Sequence, residues 1–305
     1  MDYTESSQLT PSGLVLTKSW ISADDCGNIT NVMRNDTCKL AAVKLRGILH
    51  GAMIGNGTGT LNMRDNLRTK GYLPTYNPID LGQANPIAGG AGGDVLSPAI
   101  MEATGDNAVV DWVLVEIRDA IEPQFVLLSL PCIIRRDGNI VTANGEDVIA
   151  LPGLEEDNYH VRVKHRNHLG MMTDSPVYLN ITNPPMIDFT LTTTPIFGGT
   201  TGRRLENGKM MMWGGDYNAD DAIIYQGPNN DVFNLFTDVL VHPLNTSSLA
   251  NFIRSGYENS DINLDGNAIY QGPGNDRSML LLNSILAHPA NALLLANFIT
   301  YELLP

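Results

Sequence analysis

The sequence predicts a mainly β protein with a small α module: an antiparallel β-sandwich followed by two loop–helix repeats. Two observations lead to this prediction. Short apolar and β-branched runs bounded by Gly, Pro, Asn and Asp recur between residues 110 and 193, which is typical of sandwich strands. A segment at 216–231 then recurs at 261–276, and an apolar run of helical period follows each copy.

The composition is that of an acidic globular protein. Its 305 residues are enough for two domains, and 43% hydrophobic residues are enough for a substantial core. The net charge of −14 argues against nucleic acid and anionic membrane surfaces as partners. No apolar run approaches the roughly 18–20 residues of a membrane span. The polar residues after Met1 do not form a signal peptide, so we expect the chain to start within a longer precursor or at an added initiator Met.

The chain divides into an N-terminal extension, a sandwich, a linker and a duplicated module, at 1–38, 39–197, 198–213 and 214–305. In the extension, Leu14 and Leu16 fall on one face of an extended segment. This predicts that the segment adds a strand to a sheet edge, in its own subunit or in a neighbour. The predicted strands of the sandwich are 110–119, 124–138, 159–170, 176–181 and 186–193.

The three cysteines are few for a disulfide-rich secreted scaffold. Cys26 and Cys38 lie in one polar segment, which favours a disulfide between them. The alternative is a metal pair, but no further Cys or His cluster lies nearby. A bridge would add about 3 kcal/mol to stability by restraining the unfolded chain. Cys132 lies in the apolar run FVLLSLPCII, and we expect it to be a buried thiol.

Five Asn-x-Ser/Thr sequons give weak support for a glycosylated surface. Several would arise by chance in a chain this rich in Asn and Thr. The candidate glycosylation sites are Asn28, Asn35, Asn56, Asn180 and Asn245.

The two copies share Asp, Asn and Asp at positions 1, 3 and 5, a spacing typical of a calcium loop. Ca²⁺ takes about six to eight oxygen ligands, and alternate residues of a curled backbone can direct oxygens inward. Position 6 must turn sharply. The second copy has Gly266 there, and the first has Asp221, a residue type that tolerates the left-handed conformation. The alternative is an Asn/Asp-rich turn without an ion, which the exact repetition of the spacing disfavours.

Position 12, where an EF-hand has a bidentate Glu, is Gly in both copies. We expect the Asp four residues later to replace that Glu. The predicted ligands of two calcium ions are therefore positions 1, 3, 5, 7 and 16 of each copy: Asp216, Asn218, Asp220, Ala222 and Asp231 in the first, and Asp261, Asn263, Asp265, Asn267 and Asp276 in the second.

Each loop is expected to lead into an amphipathic helix, with Asp231 as the N-cap of the first. The predicted apolar faces consist of Val232, Leu235, Phe236, Val239 and Leu240, and of Met279, Leu282, Ile285 and Leu286. Each copy continues with His-Pro and the sequence LANFI, for which we expect a second short helix. Because each unit exposes an apolar face, the two units should pack about a pseudo-twofold axis.

Tandem D-x-N-x-D-G loops followed by helices resemble the dockerin type I module of extracellular bacterial proteins. Asp261, Asn263, Asp265 and Gly266 match that motif in full, whereas the first copy has Asp221 in place of Gly. The longer pattern, YQGPxND followed by a helix, HP and LANFI, is similar to the ending of secreted surface proteins of Bacteroidota. A segment similar to VKHRNHLGMMT often precedes it there. The resemblance implies export and calcium binding, and it carries no assigned activity.

No G-x-S-x-G, H-E-x-x-H or Cys/His nucleophile pattern is present, so we do not expect an enzyme. The sequence instead predicts a non-catalytic, secreted, calcium-binding structural protein of the cell surface. We expect it to assemble with itself, as a subunit of an extracellular fibre, matrix or adhesin. The alternative is a module that binds a glycan or another surface protein, either through the pair of helices or through the basic row Arg162, Lys164 and Arg166 of a predicted strand.

Overall fold

The protein is mainly β, with antiparallel sheets and few helices, which confirms the coarse fold class. The computed structural model describes residues 2–10, 13–23, 29–54, 62–78 and 95–304. The first three strands form an antiparallel sheet in the order β1-β2-β3: Asp2–Thr10, Gly13–Ala23 and Ile29–Cys38. The segment that contains Leu14 and Leu16 is therefore the central strand of a sheet within its own subunit.

A nine-stranded sheet follows, in the order β10-β9-β5-β6-β7-β4-β12, with β11 also paired to β9 and β8 to β4. All its pairs are antiparallel except β4–β12. The strands β4 to β12 are Leu40–Arg46, Val109–Arg118, Val126–Arg135, Asn139–Val141, Ile149–Glu155, Asp157–His165, His168–Met172, Val177–Leu179 and Met186–Asp188. We call residues 39–197 the sheet domain.

Sequence analysis predicted a sandwich of two sheets, whereas these strands are hydrogen-bonded into one continuous sheet. The reason is β4, whose first half pairs with β8 and whose second half pairs with both β7 and β12. The central strand β5 is buried at every position, including Trp112 and Ile117. Burial on both faces explains why its sequence, VVDWVLVEIR, is nearly continuous in apolar residues.

The predicted linker, 198–213, is packed against the rest of the protein. It contains a hairpin of β13 (Arg204–Glu206) and β14 (Lys209–Met211). The turn between them is Asn207-Gly208, and both residues have positive φ, as a two-residue hairpin turn requires. Met211 and Met212 are buried in the core of the sheet domain.

Four α-helices lie in the described ranges: α1 (Asn66–Thr69), α2 (Pro98–Glu102), α3 (Asp231–Leu240) and α4 (Asp276–Leu280). Short 3₁₀ helices span Gly51–Met53, Gly105–Asn107 and Gly199–Gly202. The N-caps of α3 and α4 are Asn230 and Asn275, so Asp231 is the first helical residue and not the cap. None of the helices described is long and apolar enough to cross a bilayer.

The second repeat carries one extra residue, and a π-helical turn absorbs it. Leu235 of α3 corresponds to Leu280 of α4 at an offset of 45, but Val239 corresponds to Ile285 at an offset of 46. Between them, α4 continues into the π-helical turn Leu281–Ile285. All four of these residues are buried, so the widened turn keeps Ile285 in the core position of Val239. The predicted face was wrong at Leu282, which is exposed for the same reason.

The two repeats exchange strands with each other. Within the first loop, β15 (Ala222–Ile224) pairs with β18 (Ile299–Tyr301), the strand that follows the second LANFI segment. Within the second loop, β17 (Asn267–Ile269) pairs with β16 (Ile253–Ser255), which follows the first. The registers match, because Ile224 faces Ile299 as Ile269 faces Ile253. This reciprocity is what a pseudo-twofold relation requires. The helix predicted for LANFI is wrong, since the segment forms turns that lead into a strand.

One Asn after each His-Pro holds the end of the preceding helix. Asn245 donates its side-chain amide to the carbonyls of Val239 and Leu249, at 2.8 and 2.9 Å, and accepts from the Leu249 amide. Asn291 makes the same three bonds in the second repeat. Both Asn side chains are buried. Asn245 is therefore a structural residue, and a glycan on its amide nitrogen would be incompatible with these bonds.

Asn245→Ala and Asn291→Ala should each lower the free energy of unfolding by about 2–3 kcal/mol, because each leaves buried backbone groups without a partner. Urea unfolding measures the loss. The matched control is Asn251→Ala at an exposed position, where we expect a change below about 0.5 kcal/mol. Equal effects from all three variants would contradict the assigned role.

Candidate metal centre

Both repeated loops curl in the same way. Positions 4 and 6 adopt the left-handed conformation in each copy, with φ of 58° and 63° at Ala219 and Asp221, and of 56° and 85° at Leu264 and Gly266. These turns bend the backbone twice within three residues. As a result, the side chains of positions 1, 3 and 5 are brought around the backbone amides of the same loop.

The position 1 carboxylate holds the turn. Asp216 accepts hydrogen bonds from the amides of Asp220 and Asp221, both at 3.1 Å. Asp261 accepts from the amides of Asp265 and Gly266, at 3.1 and 2.7 Å. The same two positions are thus bound to the same carboxylate in each copy, one oxygen to each amide.

The Asp at position 16 closes the loop from the start of the helix. Asp231 accepts from the amides of Tyr217 and Ile224, both at 2.7 Å. Asp276 accepts from those of Ile262 and Ile269, at 3.0 and 2.8 Å. The first residue of each helix is therefore joined to the start and the middle of the preceding loop, although Gly occupies the usual position 12.

The predicted ligands at positions 3, 5 and 7 are hydrogen-bonded to one another in the same way in both loops. Asn218 donates to the carboxylate of Asp220 at 2.9 Å, and Asn263 donates to that of Asp265 at 3.1 Å. At position 7, the amides of Ala222 and Asn267 each donate to the position 5 carboxylate of their own loop. All ten predicted ligand residues thus belong to two matching hydrogen-bonded clusters.

Four carboxylates in these clusters are buried without a side-chain cation. Asp216, Asp231, Asp261 and Asp276 are at most 2% exposed. Among the described residues, none of these four forms an ion pair; the ion pairs of the loops involve other residues, such as Asp221 with Lys164 at 2.7 Å and Asp265 with Arg64 at 3.9 Å. A buried carboxylate normally pairs with a cation or coordinates a metal. Arg166 partly offsets the charge of Asp261, but a bound cation would be needed to neutralise all four carboxylates.

The missing positive charge is reflected in the pKa values. Burial and the neighbouring Asp231 raise the pKa of Asp216 to about 8. Burial raises the pKa of Asp231 to about 7 and that of Asp261 to about 7. Burial and the neighbouring Asp261 raise the pKa of Asp276 well above its usual range. Each pair of carboxylates, at positions 1 and 16, is thus destabilised in its charged form.

Oxygen donors of this kind suit a hard cation such as Ca²⁺. Within the part of the chain that the structure describes, no three His, Cys, Asp or Glu side chains are arranged to hold a metal by themselves. Each candidate site therefore relies on the Asn amide oxygen at position 3 together with its carboxylates.

The two loops differ in their surroundings. In the first loop, Asn218 and Asp220 are exposed to solvent. In the second, Asn263 is 3% exposed, and residues of the sheet domain cover the loop. A Cβ on Gly266 would lie 2.8 Å from the ring of Tyr72. The first loop is therefore open to solvent, and the second is enclosed.

The hairpin turn His165–His168 holds the second loop on the sheet domain. Asn167 donates to the carbonyls of Asn259 and Asp261, both at 2.8 Å. His168 accepts the amide of Gly51 through Nε2 at 3.0 Å. A Cβ on Gly51 would lie 1.8 Å from the Ile262 carbonyl oxygen, so only Gly permits this approach.

Sequence reasoning missed the buried polar group beneath this turn. Asp111 of β5 accepts from Tyr257 at 2.6 Å, from Arg166 at 3.0 Å and from His165 at 3.1 Å. Burial opposes its ionisation, but Arg166 and His165 lower the pKa of Asp111 to about 2. The only signal in the sequence is a charged residue inside the apolar run VVDWVLV.

The basic row proposed as a glycan-binding surface is not a surface. Arg162 is 5% exposed and pairs with Glu116 at 3.0 Å. The Arg166 side chain is 8% exposed and pairs with Asp111. Lys164 is partly exposed and pairs with Asp221. The three basic side chains therefore form ion pairs within the protein. They do not form the exposed glycan-binding row that the predicted alternative requires.

Two further predicted sites, Cys132 and Asn180, lie in the part of the chain that the structure describes. Cys132 is a buried free thiol, as expected, and burial raises its pKa to about 12. Asn180 is half-buried and accepts the amide of Asn183. The remaining candidates lie outside what the structure describes, so the disulfide and three sequons stay predictions: Cys26, Asn28 and Asn56, and the side chains of Asn35 and Cys38.

Comparison of the chain with protein-family models, with curated proteins and with solved structures gives no match. The geometry of the two loops and the sequence motif are therefore the basis for inferring a function.

Without a cation, the folded protein should lose stability progressively as the pH rises from about 4 to about 8. The folded pKa of Asp216, about 8, is raised above its ordinary value of 3.8. Its contribution is therefore complete below the ordinary pKa and disappears as the pH rises through the folded pKa. In chelator, we expect urea unfolding to show a lower free energy of unfolding at about pH 8.5 than at about pH 6.5.

The control for this pH effect is Asp216→Asn, which cannot ionise at that position and should show a smaller decrease. Saturating calcium should also reduce the decrease, because bound metal favours the charged carboxylates. A metal-free stability that stays constant or rises over this pH range would contradict the assignment.

Proposed function

We propose that the protein is a non-catalytic, secreted, calcium-binding structural subunit that holds one Ca²⁺ in each repeated loop. The observation that supports this most is the pair of matching clusters in which buried Asp residues have no side-chain cation. Asp216, Asn218, Asp220, Ala222 and Asp231 would hold the first ion. The equivalent residues of the second loop, at 261, 263, 265, 267 and 276, would hold the second.

Bound calcium would neutralise each pair of buried carboxylates, and its binding energy would add to folding energy. The strand exchange gives this a structural consequence. Because β15 and β17 lie within the loops and pair with β18 and β16, ordering either loop also orders the end of the other repeat. Calcium would make such a module more rigid, and rigidity suits a structural extracellular protein.

Self-assembly is the second part of the proposal, and the N-terminal sheet supports it. In the described residues, β1 pairs with β2 on one side only. An edge strand presents a row of unpaired amides and carbonyls that can accept a strand from another chain. The nine residues of β1 are long enough for such a contact. Assembly would therefore proceed through the free edge of β1.

Calcium stoichiometry tests the metal assignment. Calorimetric titration should give two ions per chain, and one ion for either Asp231→Asn or Asp276→Asn, because each removes a charged ligand from one loop only. We expect at least about a tenfold loss of affinity in the altered loop. Asp157→Asn, the same change at an exposed site outside the loops, is the control. Unchanged stoichiometry in both loop variants would refute the ligand assignment.

Electron microscopy of the purified protein tests assembly. We expect filaments in calcium that shorten or dissociate in chelator, and deletion of residues 1–10 should prevent them because it removes β1. The doubly substituted Asp231→Asn/Asp276→Asn protein should behave as the wild type does in chelator. Filaments that persist without residues 1–10 would exclude the β1 edge as the contact. Monomers under all conditions would exclude self-assembly.

A further inference from the structure

Asp221 stands where the second loop has Gly266, and it connects three parts of the molecule. Its φ of 63° lies in the left-handed region, which disfavours most residues other than Gly. Asp tolerates this conformation, and its side chain can make contacts that Gly266 of the second loop cannot. The second loop turns at the same place without a side chain, so the turn itself does not require one.

The three connections of Asp221 are direct. Its amide donates to Asp216, the position 1 carboxylate, at 3.1 Å. Its carbonyl accepts the amide of Glu302, the residue after β18, at 2.8 Å. Its carboxylate accepts from Lys164 of β9 at 2.7 Å. One residue thus joins the candidate metal loop, the C-terminal strand and the sheet domain.

The contact with the sheet domain continues into a buried network. Arg162 of β9 lies 3.7 Å from Asp221 and also pairs with Glu302. On its other side, Arg162 pairs with Glu116 of β5 at 3.0 Å, and Glu116 pairs with Arg118 at 2.7 Å. Three acidic and three basic side chains balance here. The side chains of Arg162, Glu116 and Glu302 are less than 10% exposed, so their ion pairs are shielded from solvent.

Because Asp221 lies in the first loop, the ion-pair network is also sensitive to the net charge of that loop. Asp216, Asp220 and Asp231 are its acidic neighbours in that loop, and the charges of Asp220, Asp221 and Asp231 act on Asp216. A dication among them would hold Asp216 against the Asp221 amide. Without it, these like charges repel and the turn that aims Asp221 at Lys164 is weakened. The second loop has Gly266 at this position, and Asn167 holds that loop through the backbone carbonyl of Asp261.

We propose that Asp221 is a latch through which calcium in the first loop locks the C-terminal strand β18 onto the sheet domain. The inference rests on the proposed calcium site in that loop and assigns to it a regulatory role that the second loop does not have. Calcium removal would release β18 and, with it, the end of the second repeat, while the second loop stays docked.

Hydrogen–deuterium exchange with mass spectrometry tests the latch. In the wild type, chelator should speed exchange in peptides that contain 222–224 and 299–301 by about tenfold or more. Asp221→Gly and Lys164→Met should exchange at the fast rate in 299–301 with or without calcium. Calorimetry should show that both variants still bind calcium in the first loop. Lys39→Met, which removes the surface ion pair with Glu156, is the matched control and should behave as the wild type does.

The outcomes separate the latch from the metal site. If both variants keep the wild-type difference between calcium and chelator in 299–301, the latch is refuted. The latch is also refuted if the wild type binds calcium without any change of exchange in β18. If the wild type binds no calcium, the proposed function fails, and the latch fails with it.

Discussion

The exchange of strands between the two repeats is the interaction on which the C-terminal module, residues 214–305, depends. Neither loop is closed by its own repeat, because β15 needs β18 and β17 needs β16. The strand in the first loop pairs with a strand about 75 residues later in the sequence, and the strand in the second loop pairs with one about 15 residues earlier. The two repeats therefore form one cooperative unit. A single repeat would leave its loop strand unpaired and its helix uncovered.

Charge imposes the second constraint. Each loop buries two carboxylates whose partners are backbone amides, and backbone amides carry no net charge to offset them. In the sheet domain, buried carboxylates form ion pairs instead: Glu116 pairs with Arg162, and Asp111 pairs with Arg166. The buried acidic residues of the sheet domain thus have basic partners, whereas the four buried carboxylates at positions 1 and 16 of the loops form no ion pair among the described residues.

The repeats have diverged where they contact the preceding part of the chain. The extra residue in the second repeat widens α4 into a π-helical turn, and that turn contacts the body of the protein. Ser284 donates to the Gly214 carbonyl, and Arg204 donates to the carbonyl of Asn283. In the first repeat the corresponding divergence is Asp221, which contacts Lys164. Each copy therefore keeps the loop geometry and makes a different contact with the rest of the chain.

The sequence by itself determined the features that depend on neighbouring residues. These include the mainly β class, the doubled loops with a sharp turn at position 6, the helix after the first loop and the strands rich in β-branched residues. The ten candidate ligands were predicted because a loop brings together residues that are close in the chain. Local geometry decides such features, so local pattern is sufficient to predict them.

Only the tertiary structure decided which residues are covered. The LANFI segments were predicted to be helical. They form turns and the start of a strand, because their last residue pairs with the loop of the other repeat. The row of Arg162, Lys164 and Arg166 alternates like a solvated strand face, yet partners from β5, the first loop and the C-terminus cover it. Asn245 has the sequence of a glycan acceptor and the position of a buried cap. These outcomes depend on contacts between distant segments, which no window of sequence contains.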